Sequence, residues 1–352
     1  MKKLFFNLFL ASMLSFGLVS CGGGNAEQNN QQDTVAAAPV EFDVLATYLE
    51  SNGNYINSDA APSFMEAEQV YKQLDSNILV IDIRTPKDFA AGHIKGAVNL
   101  KMSELLDYSK ANDLSKYSKV VMSCYTGQTA SYATVIMRML GHNNFYTLKW
   151  GMSAWSKNVA KEKWLKNTSN KYAQQLDTAF MPKPAKGNYP ELTTGLTDPK
   201  EILEARASEI LLYGFNDANI KIEDLMANPS EYFIVNYWPE NLYKKGHLPG
   251  AMQYTPKKSL GRDADLSTLP TDKTILVYCH TGQQAAYAAA YLNVMGYNAK
   301  ILLYGANGFM YDVLKKDAEY GNFFNDKLIK NYPVETSEYK APEGGEEVKS
   351  GC

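Results

Sequence analysis

The sequence predicts an α/β protein built from two copies of one domain, each a mainly parallel β-sheet with helices on both faces. Three observations predict it. The stretches ILVIDIRTPKDFAAGHIKGAVNL (78–100) and YFIVNYWPENLYKKGHLPGAMQY (232–254) align without gaps around a Gly-His pair. Each is followed, at nearly the same distance, by a cysteine-headed heptad, CYTGQTA (124–130) or CHTGQQA (279–285). Short apolar runs rich in β-formers alternate with alanine-rich helical patterns, the signature of parallel strands covered on both sides.

In chain order, MKK and the apolar LFFNLFLASMLSFGLVS form an address segment over residues 1–20, too short and polar-flecked for a membrane span. It ends in Leu18-Val19-Ser20-Cys21, which resembles a bacterial lipobox. That resemblance implies cleavage before Cys21 and lipidation of its thiol, hence an envelope protein attached to a membrane through lipid alone, the outer membrane favoured. Residues 21–40 read as a flexible tether, 41–165 as the first domain, 166–196 as a linker, 197–330 as the second domain, and 331–352 as a disordered tail. The net charge is −3, or −5 once Lys2 and Lys3 leave with the signal peptide, so no basic surface for nucleic acid is expected.

Each heptad places its cysteine after an apolar strand, KVVMS or KTILVY, and just before a helix. Open α/β sheets put their ligands at that point. Loop N–H groups and the helix N-terminus can converge on the sulfur and favour thiolate, making Cys124 and Cys279 nucleophiles near neutral pH. Gly127 and Gly282 would let the loop curl with positive φ. Thr126 and Thr281, and Gln128 and Gln283 on the other side of each glycine, are expected to bond to the loop backbone or to substrate. Tyr125, Thr129, His280 and Gln284 complete the loops. A buried, inert strand cysteine is the plain alternative for one thiol; two matched loops count against it.

The combination of Asp-Ile-Arg (82–84), FAAGHIKGA (89–97), the first heptad and LKWGMSAW resembles the rhodanese domain, a sulfurtransferase fold, over roughly residues 64–160 and, with more departures, 197–318. The resemblance implies that the thiolate takes sulfane sulfur from a small donor anion, becomes a persulfide and passes the sulfur to a thiol or cyanide-like acceptor, without a cofactor. Many thiosulfate-using relatives carry arginine beside the cysteine and near the loop's end. Here Tyr125 and Thr129, or His280 and Gln284, stand there, so doubly charged thiosulfate loses its strongest partners. Phosphatases of this fold need arginine where Ala130 and Ala285 stand, which argues against phosphoryl chemistry. A non-catalytic alternative is a lipoprotein that uses the fold for binding or sulfide sensing.

Asp82, Arg84, Asp88, His93 and His247 read as structural support. In the family the histidine mainly holds its turn, and the spacing of Arg84 and Asp88 suggests an ion pair across it. The second copy has Asn236, Trp238 and Leu242 at the places of Asp82, Arg84 and Asp88. Replacing both charges by apolar groups reads as repair of a contact, so Cys279 is expected to remain a solvent-reachable thiolate. His280 is placed to tune it. No cluster has metal-ligand spacing, and the terminal Cys352 is expected to be a bystander.

Overall fold

The computed structural model describes residues 40–339; the lipobox Cys21 and the terminal Cys352 lie outside the described residues. The first copy contributes strands β1 (Phe64–Met65), β2 (Ile78–Asp82), β3 (Val98–Asn99), β4 (Lys119–Ser123) and β5 (Phe145–Leu148). The second contributes β6 (Asn219–Ile220), β7 (Tyr232–Asn236), β8 (Met252–Gln253), β9 (Thr274–Tyr278) and β10 (Ala299–Leu302). Each set forms a five-stranded sheet in the same order, β1-β5-β4-β2-β3 and β6-β10-β9-β7-β8. All pairings are parallel. The fold is therefore the expected tandem α/β architecture, and each cysteine follows the central strand of its sheet.

Central strands β4 and β9 are buried except at their first residue, which is why they read as continuous apolar runs. The helices that follow the cysteines, Gln128–Met139 and Gln283–Val294, are almost wholly buried because they pack on each other between the two sheets. Their small residues, Ala130, Ala133, Ala285, Ala286, Ala288, Ala289 and Ala290, are buried in the core. The larger hydrophobic cluster thus runs through both copies, and a second lies mainly in the first copy, whereas the sequence suggests a core for each.

The copies also exchange arms. The linker reaches the second sheet's Gly-His turn, where Asp177 forms a backbone bridge with His247. The C-terminal segment returns to the first copy and bridges His93 through Glu335. This corrects the expectation of a disordered tail from residue 331. Tyr332 stacks on Tyr71 with ring centroids 4.0 Å apart. Trp155 Nε1 donates to the Pro333 carbonyl at 3.0 Å, and Ser337 N to the Ala90 carbonyl at 3.0 Å. Aromatic stacking and backbone bonding outweigh the segment's polar composition. Among the described residues no helix is long and apolar enough to cross a membrane.

Candidate active site

In the first loop, the Gly127 amide donates to Cys124 Sγ at 3.1 Å and the Ala130 amide at 3.4 Å. In the second, the amides of Thr281, Gly282, Gln284 and Ala285 surround Cys279 Sγ, with Ala285 at 3.3 Å. The curl that aims these groups inward needs the left-handed region at Gly127 and Gly282, with φ of 85° and 73°. Thr126 Oγ1 accepts from the Gln128 amide, and Thr281 Oγ1 from the Gln283 amide, so the threonines do brace the loop backbone.

Burial works against the same N–H groups. Both cysteines are 1% exposed. Around Cys279 desolvation outweighs the four amides and pushes the thiol above its ordinary value of 9.0. The expected solvent-reachable sulfur in the second loop is thereby corrected: Cys279 is buried, and that burial pushes its thiol up.

The residues flanking the nucleophiles differ between the copies. In the first, Tyr125 OH donates to the Asp88 carboxylate, which also accepts from Thr85 Oγ1 at 2.7 Å, and Lys163 Nζ lies 4.1 Å from the centre of the Tyr125 ring. Beside this group a recess of about 200 Å³ is lined by Thr85, Lys101, Thr129 and, from the second copy, Leu211, Leu212 and Phe215. In the second copy His280 stacks on Trp238, with centroids 4.6 Å apart. Its Nε2 has no partner, and desolvation lowers its pKa to about 4. A neutral imidazole brings no positive charge to Cys279, so the expected tuning by His280 is corrected as well.

This depressed value gives a pH prediction. The unfolded chain protonates His280 first as pH falls from about 6.5 to about 4, so its contribution to stability is complete above 6.5 and lost on acidification. Between neutrality and pH 5 the loss should be about 2 kcal/mol. Urea unfolding of the parent and of His280→Phe at both pH values checks it; equal acid losses in the two proteins would refute the assignment.

The supporting residues depart from one expectation. Arg84 does not pair with Asp88. Its Nη2 meets Asp82 Oδ2 at 2.7 Å and its Nε lies 3.0 Å from both carboxylate oxygens, while Nη2 also donates to the Gly92 carbonyl at 2.7 Å. Arg84 precedes the helix Pro86–Ala91, so its side chain turns back to the end of β2, whereas Asp88 sits in the first turn against the N-cap Thr85. His93 Nδ1 donates to the Phe89 carbonyl and His247 Nδ1 to the Tyr243 carbonyl, each at 2.8 Å, and each ring stacks on that aromatic residue. Both histidines therefore hold turns.

Four residues escape the sequence reading. Trp150-Gly151 and Tyr304-Gly305 form matching turns after β5 and β10, with φ of 67° and 58°, and of 62° and 52°. Left-handed geometry at Trp and Tyr costs about 1–3 kcal/mol each. A Cβ on Gly151 would lie 2.4 Å from the Cys124 carbonyl oxygen, and one on Gly305 2.2 Å from that of Cys279. These turns grip the loops: the amides of Met152 and Ser153 donate to the carbonyls of Cys124 and Tyr125, and those of Ala306 and Asn307 to Cys279 and His280. The aromatic-glycine pair closing each repeat, KWG and LYG, was the signal available.

The chain is similar to known proteins. The family model of the rhodanese-like domain matches residues 66–158 and 209–311. A thiosulfate sulfurtransferase, GlpE of Pseudomonas aeruginosa, is 32% identical over 88 residues, which cover 25% of this chain and 78% of that protein. The GlpE protein of Ectopseudomonas mendocina is 34% identical over 88 residues, covering 25% of this chain and 79% of its own. The solved structure of the Escherichia coli 3-mercaptopyruvate sulfotransferase SseA aligns with 68% of this chain and 97% of its own, at 16% identity and a TM-score of 0.27.

Proposed function

The chain belongs to the rhodanese-like domain family, with two copies of that domain, and from this premise we propose that it is a rhodanese-type sulfurtransferase working through cysteine persulfides. The observation that carries the reading is the cage of backbone N–H groups around a cysteine sulfur at the end of each central strand. Such donors stabilise an anion on sulfur before and after transfer. Cys124 thiolate attacks the outer sulfur of a small donor anion. An S–S bond forms, the bond from that sulfur to the rest of the donor breaks, and the donor remnant leaves with the electron pair. A thiolate or cyanide then attacks the outer sulfur and regenerates the Cys124 thiolate. Cys279 runs the same steps in the second loop.

The recess beside Thr129 combines Lys101 and Arg84 with Leu211, Leu212 and Phe215, which suits an anionic donor carrying an apolar portion. The decisive experiment incubates the protein with several sulfane donors, then measures persulfide on Cys124 and Cys279 by mass spectrometry and thiocyanate after adding cyanide. Persulfide on neither cysteine with any donor would leave the binding or sensing role instead. The proposal also places the protein in the cell envelope, lipidated at Cys21, on the strength of the basic start, apolar run and Leu18-Val19-Ser20-Cys21. Cys21→Ser should release it from membranes or leave it unprocessed. A variant that is cleaved and stays membrane-bound like the parent would refute the attachment.

A further inference from the structure

Gln128 Nε2 donates to Thr126 Oγ1 of its own loop at 3.0 Å, but the amide oxygens of both loop glutamines bond elsewhere. Gln128 Oε1 accepts from the Tyr304 amide at 2.8 Å, and Gln283 Oε1 accepts from the Trp150 amide at 2.8 Å. Each side chain crosses the seam into the other copy. Both are buried, at 0% and 1% exposure, and the facing backbone donor requires the amide oxygen, not the nitrogen, at each contact. The fit is steric too. A Cβ on Gly127 would lie 2.3 Å from Gln283 Oε1, and one on Gly282 2.3 Å from Gln128 Oε1. The glycines therefore serve the opposite glutamine as well as the curl of their own loop.

The contact reaches the opposite nucleophile in two steps. Gln283 fixes the N–H of Trp150, whose turn is strained in the left-handed region. That turn supplies the Met152 and Ser153 amides that hold the Cys124 and Tyr125 carbonyls. Gln128 acts likewise through Tyr304 on the Ala306 and Asn307 amides and the Cys279 and His280 carbonyls. The loop backbone so held is the one whose amides surround sulfur. We infer that Gln128 and Gln283 are reciprocal positioning residues, each setting the geometry of the cysteine loop in the other domain. A loop that moves when its cysteine gains sulfur carries its glutamine with it, so the two sites report to each other.

The inference deepens the sulfur-transfer reading and takes its biological meaning from it, but its test does not depend on transfer. Iodoacetamide alkylation forms an S–C bond, releases iodide and needs only the thiolate, the thiol proton passing to solvent. Its rate across pH therefore reads each loop directly. With Cys279→Ser present, Gln283→Met removes the crossing acceptor at nearly constant volume. It should slow Cys124 alkylation near neutral pH about tenfold and raise its pH midpoint by about one unit. With Cys124→Ser present, the same Gln283→Met should change Cys279 alkylation less, within about threefold. Gln128→Met should slow Cys279 alkylation in the same way, with an added effect on Cys124 from the lost bond to Thr126 Oγ1 that stays smaller than the effect across the seam. Effects confined to each glutamine's own domain, or equal on both cysteines, would overturn the inference. If a variant fails to fold, hydrogen exchange of the Trp150 and Tyr304 amides in the parent decides: strong protection supports the cross-brace, and exchange at the rate of exposed amides overturns it.

Discussion

Combining Cys124→Ser with Cys279→Ser is expected to lower donor-dependent persulfide and thiocyanate formation by a factor on the order of a thousand or more. A serine hydroxyl in the same cage stays protonated and is a poor nucleophile toward sulfane sulfur, while the rest of the fold is left in place. Each single variant leaves one caged cysteine and should keep part of the turnover. Burial pushes the Cys279 thiol up, so the persulfide formed in Cys124→Ser should climb as pH rises. Persulfide mass spectrometry of the three variants across pH checks both claims. Complete loss of persulfide in Cys124→Ser at every pH, with none lost in Cys279→Ser, would make the second domain a scaffold.

The site was only partly legible in the sequence. The matched heptads locate both nucleophiles because strand, glycine and helix start are local signals. Whether a caged cysteine ionises depends on the balance of two opposed effects, N–H donors and desolvation. Only the packed structure shows how completely the flanking aromatics, such as Trp238 over His280, dry the second site. The glutamines were legible as loop residues but not as cross-braces, since their partners lie in the other copy: positions 128 and 304, or 283 and 150. The arm exchange was hidden for the same reason. Nothing near Glu335 in sequence signals that its backbone will meet His93. What was readable followed local periodicity and the repeat; what was missed lies across the seam between the repeats.

Arg84 shows how spacing can mislead and leads to the second large effect. Asp88 lies four positions after it, the spacing of a helical ion pair, but the helix begins only after Thr85 and Arg84 turns instead to Asp82. Asp82 is 0% and Arg84 4% exposed, so removing the cation alone leaves a carboxylate buried without its partner. Arg84→Met should therefore destabilise the protein by about 3–5 kcal/mol in urea unfolding. The second copy shows that the place tolerates loss of both charges. Asn236 stands there with Trp238, and its Nδ2 donates to Tyr278 Oη at 2.8 Å. In the first copy Ser123, opposite Asp82 in register and with an unpartnered Oγ, stands where Tyr278 does. Asp82→Asn with Arg84→Met removes the stranded charge. The double variant should recover at least about half of the loss, a coupling well above the few tenths of a kcal/mol expected of independent sites. A double variant no more stable than Arg84→Met would show that the cost lies in the lost packing of the arginine and its bond to the Gly92 carbonyl, and not in the uncompensated charge.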